Sequence, residues 1–167
     1  MKKQKEVVFQ GMIALNETCD CTDPCYDKDV WCRHTVEEMF PGDYACYALV
    51  SDEGDWGERV AESWIIHEDF DNNGAHPREI KKLKRGDLRE VGVDAGLFGY
   101  FNNKPDFTDG EWMSFCDSLG NSYPTMTTHL GVAEGFVTSS GYGDGGYDVQ
   151  CWNDENGNVA AISTRFI

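Results

Sequence analysis

The run Tyr147-Asp148-Val149-Gln150-Cys151-Trp152-Asn153-Asp154-Glu155-Asn156-Gly157-Asn158-Val159-Ala160-Ala161-Ile162-Ser163-Thr164-Arg165-Phe166-Ile167 decides the fold class. Two β-prone segments, 147–152 and 159–167, flank Asp154-Glu155-Asn156-Gly157. An Asn-Gly step supplies the positive φ that a tight hairpin turn requires. In the second segment Val159, Ala161, Ser163 and Arg165 alternate with Ala160, Ile162, Thr164 and Phe166. Successive strand residues point to opposite faces, so one face of this hairpin is more apolar than the other.

Working outward, short β-rich runs recur between turn signals, at 6–15, 43–50, 59–67, 88–93, 97–101 and 135–139. Strands at such spacing predict a compact antiparallel β-sandwich or barrel. One helix is predicted over 108–119. Thr108 and Glu111 form a capping box, Trp112, Phe115, Cys116 and Leu119 make an apolar stripe, and Gly120 ends it. A further helical turn is expected at 34–40. The 167 residues form one domain, 1–167, with a cysteine-rich loop at 19–34 inside it.

Thirty acids stand against fourteen Lys and Arg, a formal net charge of −16. Seven of the cations sit in two acid-free runs: Lys2, Lys3 and Lys5, then Lys81, Lys82, Lys84 and Arg85. Without those seven the balance is −23. Such a surface repels nucleic acid and anionic membranes, so direct binding to either is excluded as the main activity. Apolar residues make up 40%, enough for a core and too many for wholesale disorder. No apolar run reaches the ~20 residues that span a bilayer. The first apolar run is interrupted by Gln10, and Asn16-Glu17-Thr18 is a poor cleavage site, which argues for a first strand and a cytoplasmic protein with mostly reduced thiols.

Four of the seven cysteines, Cys19, Cys21, Cys25 and Cys32, fall within fourteen residues, followed by His34. Asp20, Asp23, Asp27 and Asp29 sit among them. The polar, Pro-containing segment reads as an exposed loop. Clustered exposed thiols point to a structural Zn²⁺ held by Cys19, Cys21, Cys25 and Cys32, with His34 as reserve ligand. The C-x-C step is not the usual zinc-knuckle spacing, and disulfides or free thiols account for the same residues. Cys46, Cys116 and Cys151 fall in apolar contexts and read as buried small hydrophobes.

Other candidate sites are weaker. Residues 69–74 match the opening of a calcium loop, but position 12 is Ile80 and Pro77 interrupts the segment. The Gly-rich stretch 139–148 lacks the Lys and following helix of a phosphate loop and the G-x-S-x-G of a serine nucleophile. Its Asp144 and Asp148 read as turn residues. His34, His67, His76 and His129 are scattered, so catalysis has little support.

Asp23-Pro24-Cys25-Tyr26, Trp31-Cys32, Pro41-Gly42-Asp43-Tyr44, Gly92-Val93-Asp94-Ala95-Gly96 and the run Ser140-Gly141-Tyr142-Gly143-Asp144-Gly145-Gly146-Tyr147-Asp148-Val149 together resemble a family of small uncharacterised bacterial and phage proteins. That resemblance implies a compact β-rich domain without established enzymatic activity. In kind, the chain is similar to the zinc-containing anti-CRISPR inhibitors of type II Cas9. This similarity implies an acidic, non-enzymatic inhibitor that binds Cas9, or its guide-RNA complex, and blocks target-DNA loading. The partner would be a basic, nucleic-acid-handling protein. The residues expected at the partner face are Asp20, Asp23, Asp27, Asp29, Asp52, Glu53 and Asp55. Two alternatives stand beside it. One is a metal-dependent enzyme acting on a nucleotide or phosphate at 139–148. The other is a metal-free structural or immunity-type interaction domain.

Overall fold

The computed structural model describes residues 4–27, 31–119, 125–130 and 133–167, with 125–130 and 133 described by their backbone. The strands are β1 (Lys5–Leu15), β2 (Cys19–Thr22), β3 (Arg33–Val36), β4 (Gly42–Asp52), β5 (Glu58–His67), β6 (Lys84–Val93), β7 (Leu97–Phe101), β8 (Thr125–Leu130), β9 (Ala133–Ser139), β10 (Gly145–Asn153) and β11 (Val159–Arg165). They form two sheets, ordered β1-β4-β5-β11-β10-β6 and β3-β2-β7-β9-β8. Neighbouring strands are antiparallel throughout both sheets. The architecture is mainly β and sandwich-like, as the sequence predicts, and the sheets do not close into a barrel.

Alternation assigns each face. In β4, Tyr44, Cys46 and Ala48 enter the core between the sheets, while Ala45 and Tyr47 belong to a second apolar cluster with Trp64, Ile66, Trp152 and Ala161. Leu83, Phe70 and Ile80, from the long β5–β6 connection, join that second cluster. Both faces of the central strands are therefore covered, and they read as nearly continuous apolar runs. Across the core, Phe98 and Tyr100 of β7 and Phe136 of β9 face inward. Helix α1 (Asp109–Leu119) covers the other face of the second sheet, with Trp112, Phe115 and Leu119 packed beside Phe101 and Val137.

The capping box forms as predicted: Thr108 N donates to Glu111 Oε1 at 3.0 Å and Glu111 N to Thr108 Oγ1 at 3.2 Å. Cys116 is only half-buried, and Gly120 lies outside the described residues. The C-terminal hairpin closes on Asp154, whose Oδ1 accepts the amides of Asn156 and Asn158 at 2.9 Å each. Gly157, at φ +82°, supplies the left-handed residue of the turn.

Two expectations need correction. The helical turn at 34–40 is absent. Residues 33–36 form β3, Glu38 has φ +58°, and Met39 bridges to Val159, so the backbone leaves the helical region. The segment 19–34 is not an exposed loop either. Cys19 to Thr22 and Arg33 to Val36 pair as a hairpin, and Cys19, Cys21 and Cys32 are buried. Cysteine behaves there as a small hydrophobe, so C-x-C is a strand period of two.

Candidate protein-binding end of the sandwich

Four connections meet at one end of the molecule. In the β2–β3 connection, the Asp23 carboxylate accepts three backbone amides: Cys25 at 3.0 Å, Asp94 at 2.8 Å and Ala95 at 2.7 Å. Burial pushes this acid upward against those three hydrogen bonds. Asp23 thereby joins the β2–β3 connection to the β6–β7 turn. The turn is joined in its own right to the Gly-rich β9–β10 loop, where Ser140 N donates to Gly96 O at 3.2 Å. Tyr142 of that loop donates to Glu53 Oε1 at 2.6 Å and lies under the Arg59 guanidinium, 5.4 Å from the ring centre. Glu53 also accepts Ser51 Oγ at 2.7 Å, and Arg59 Nε donates to Trp56 O at 3.0 Å. The β4–β5 hairpin tip is thus part of the same surface.

Large aromatic side chains are exposed on it: Trp31 at 66%, Trp56 at 69% and Tyr142 at 54%. Around them Asp27, Asp52, Asp55, Glu58, Asp94 and Asp144 are exposed, with Lys5 and the half-buried Arg59 as cations among the described residues. Tyr26 donates to Asp94 Oδ2, and that bond holds the phenol well above its usual titration range. Trp31 is fixed from below: its carbonyl accepts Gly92 N at 2.9 Å, and its ring lies on the Gly92 backbone. A Cβ at residue 92 would sit 1.7 Å from the ring carbons.

The expected partner residues divide by burial. Asp52, Asp55 and Asp27 face solvent at this end. Asp20 and Asp23 are corrections, being fold anchors. Asp20 accepts Arg33 Nη2 at 3.0 Å, Thr35 Oγ1 at 2.7 Å and Lys104 N at 2.8 Å, out of solvent. Glu53 is also buried, acting through Tyr142 and Ser51. Asp29 lies outside the described residues.

The expected zinc ligands are not brought together. Cys19 and Cys21 face the core beside Cys46 and Cys151, Cys32 is buried, and Cys25 is exposed on the β2–β3 connection. His34 lines a groove of about 560 Å³ between β3 and β6, with Asp87, Arg89 and Cys151. Among the described residues no three His, Cys, Asp or Glu side chains form a group able to hold a metal ion, so this donor set does not fit a tetrathiolate zinc. Burial pushes the Cys32 thiol up to about 11 and Cys151 to about 12, and raises Cys21 and Cys46 well above the ordinary range. These are inert core thiols.

The Gly-rich loop is also held by bonds within itself. Ser140 Oγ donates to Gly143 O at 2.7 Å, Gly143 N to Ser140 O at 2.8 Å, and Tyr147 Oη to Gly143 O at 2.6 Å. Two histidines are engaged elsewhere: His67 Nε2 with Pro41 O at 3.0 Å, and His76 Nε2 with Glu62 Oε2 at 2.7 Å; the His129 side chain lies outside the described residues. Asp71, in the calcium-like segment, accepts Tyr47 Oη at 2.7 Å and Gly74 N at 3.3 Å as an ordinary turn.

Composition and spacing did not single out Trp31, Trp56 or Tyr142. The legible signal was a bulky aromatic between turn glycines, as in Gly54-Asp55-Trp56-Gly57 and Gly141-Tyr142-Gly143. No family model, curated protein or solved structure matches this chain. Among the described residues no helix is long and apolar enough to cross a membrane.

Proposed function

We propose that the protein is a non-enzymatic binding module that presents this acidic, aromatic end to a basic, nucleic-acid-handling protein. The observation that carries the reading is the joint exposure of Trp31, Trp56 and Tyr142 among carboxylates on one braced surface. Exposed aromatic groups set in a charged rim are the composition of binding hot spots. Acidic groups steer association with a cationic surface and repel nucleic acid itself. Inhibition of Cas9 is the narrower form of this proposal: an acidic end occupying a basic nucleic-acid channel would compete with target DNA.

The test is co-elution of the purified protein with Cas9, with and without guide RNA, at low and high salt. Salt-sensitive association lost in Trp56→Ala and Tyr142→Ala supports the proposal. No association at low salt removes Cas9 as the partner. Association unchanged in both variants removes this end as the binding surface.

A further inference from the structure

Strand β6 closes one side of the six-stranded sheet and, among the described residues, pairs as a strand with β10 alone. Residues 84–90 are exposed throughout except for half-buried Gly86, and Leu88 is 55% exposed. Further along, the edge is occupied, because Gly92 N donates to Trp31 O. A free edge without proline, carrying an exposed leucine, is a template for another strand unless charge or a bulge protects it. The register shift of β6 against β10 falls at 86–87, so 88–91 is the regular part of the edge.

The charges on this edge do not protect it against a copy of itself. Val91 and Val93 face the core, so Arg89 and Asp87 stand on the same face, along the groove. Among the described residues neither forms an ion pair within its own chain. Two like charges would repel a second copy. Here the signs alternate about Leu88. In an antiparallel pairing centred on Leu88, each Asp87 stands opposite Arg89 of the other copy, and Leu88 stands opposite Leu88. The other free edge of this sheet lacks that match: aligned on Val7, β1 sets Lys5 opposite Phe9.

We propose that two copies of this chain pair edge to edge along β6, antiparallel and centred on Leu88, so that one sheet runs through both. The interface is isologous, each residue meeting its counterpart through one two-fold axis. Opposite charges directly across strands attract, and like charges there repel.

Sedimentation at physiological ionic strength over a concentration series tests this, because repulsion between two acidic bodies is then largely screened. Wild type is expected to show a concentration-dependent dimer. Asp87→Arg sets Arg against Arg, Arg89→Asp sets Asp against Asp, and each should weaken self-association by about tenfold or more. An equimolar mixture of the two variants restores both cross-strand pairs and should form a heterodimer. The double variant Asp87→Arg/Arg89→Asp should dimerise alone. Circular dichroism establishes that each variant is folded. A wild type monomeric at every concentration overturns the proposal. So do single variants that dimerise like wild type, or folded variants whose mixture does not associate.

Discussion

The hydroxyl of Tyr100 stands 2.7 Å from Oγ1 of Thr164 and 3.1 Å from Oγ of Ser63, which joins the two sheets through the middle of an otherwise apolar core. Ser63 and Thr164 face each other across β5 and β11, so one phenol from β7 serves both. Removing it leaves buried hydroxyls with fewer partners. Tyr100→Phe is expected to destabilise by about 1–3 kcal/mol. Each kcal/mol corresponds to about 2–4 °C in a domain of this size, read from a thermal melt. An unchanged melting temperature would show that the hydroxyls find equal partners without it.

Gly92 and Trp31 give a second prediction. An added Cβ would fall inside the indole ring, and the contact is with ring carbons that cannot deform. Gly92→Ala should therefore displace Trp31 from β6. The expected readout is a shift in indole fluorescence absent from Gly110→Ala, since a Cβ at residue 110 meets nothing within 4 Å and the backbone there has no positive φ. Partner binding should fall in parallel with Trp31→Ala. A wild-type spectrum in Gly92→Ala refutes the seating of Trp31.

Burial separates the acids into two experimental classes. Asp20→Ala removes the nearer carboxylate from the Arg33 guanidinium, whose side chain is 2% exposed, leaving it the exposed Asp106 at 3.5 Å and the Lys104 carbonyl, and should cost about 3 kcal/mol in a denaturant titration. Asp55→Lys lies on the exposed hairpin tip and should change stability by no more than about 0.5 kcal/mol. Asp55→Lys should instead weaken association and flatten its salt dependence. Loss of folding in Asp55→Lys, or a neutral Asp20→Ala, contradicts this division.

The same distinction explains what could be read from the chain. The C-terminal hairpin with its Asn-Gly turn, the capping box at Thr108 and the β4–β5 runs are local signals, and local physics determines them. Strands β2 and β3 are different. Cys19-Asp20-Cys21-Thr22 looks polar because Asp20 is counted as solvated. Its burial depends on Arg33 and on the amide of Lys104, contacts that only tertiary structure supplies. The candidate binding end had the same difficulty. Asp94, Tyr142 and Trp31 come from separate connections, and no spacing rule relates residues joined by Asp23 and Glu53.

Alkaline pH tests the core thiols and Tyr100 together. Burial raises the folded pKa of Cys21, Cys32, Cys46, Cys151 and Tyr100. The unfolded chain then loses these protons first, so the native state binds more protons above about pH 9. Their contribution is fully present below that pH and is lost as pH rises toward the folded values. Each such thiol should reduce unfolding free energy by about 1.4 kcal/mol per pH unit in that window. Denaturant titrations across pH 8 to 11, roughly spanning the thiol range, check the slope. A Cys151→Ala variant with an unchanged slope would remove that thiol from the account.

Metal removal discriminates most sharply between the sequence pattern and the fold. Four cysteines in a short polar segment suggest a zinc staple, and a staple contributes folding free energy, so chelation would lower the melting temperature. The structure distributes those thiols differently, with Cys19 and Cys21 in the core and Cys25 in solvent. Dialysis against a strong chelator is therefore expected to leave the melting temperature unchanged. Cys25→Ser should be near neutral, within about 0.5 kcal/mol, because it changes an exposed atom. Cys21→Ser should cost about 1–3 kcal/mol, because it buries a hydroxyl among apolar neighbours. A zinc staple predicts the opposite pattern: Cys25→Ser and Cys21→Ser equally damaging, and both effects erased once the metal is gone. One equivalent of zinc in the purified protein, with a chelator-sensitive melt, would overturn the arrangement of β2 described above.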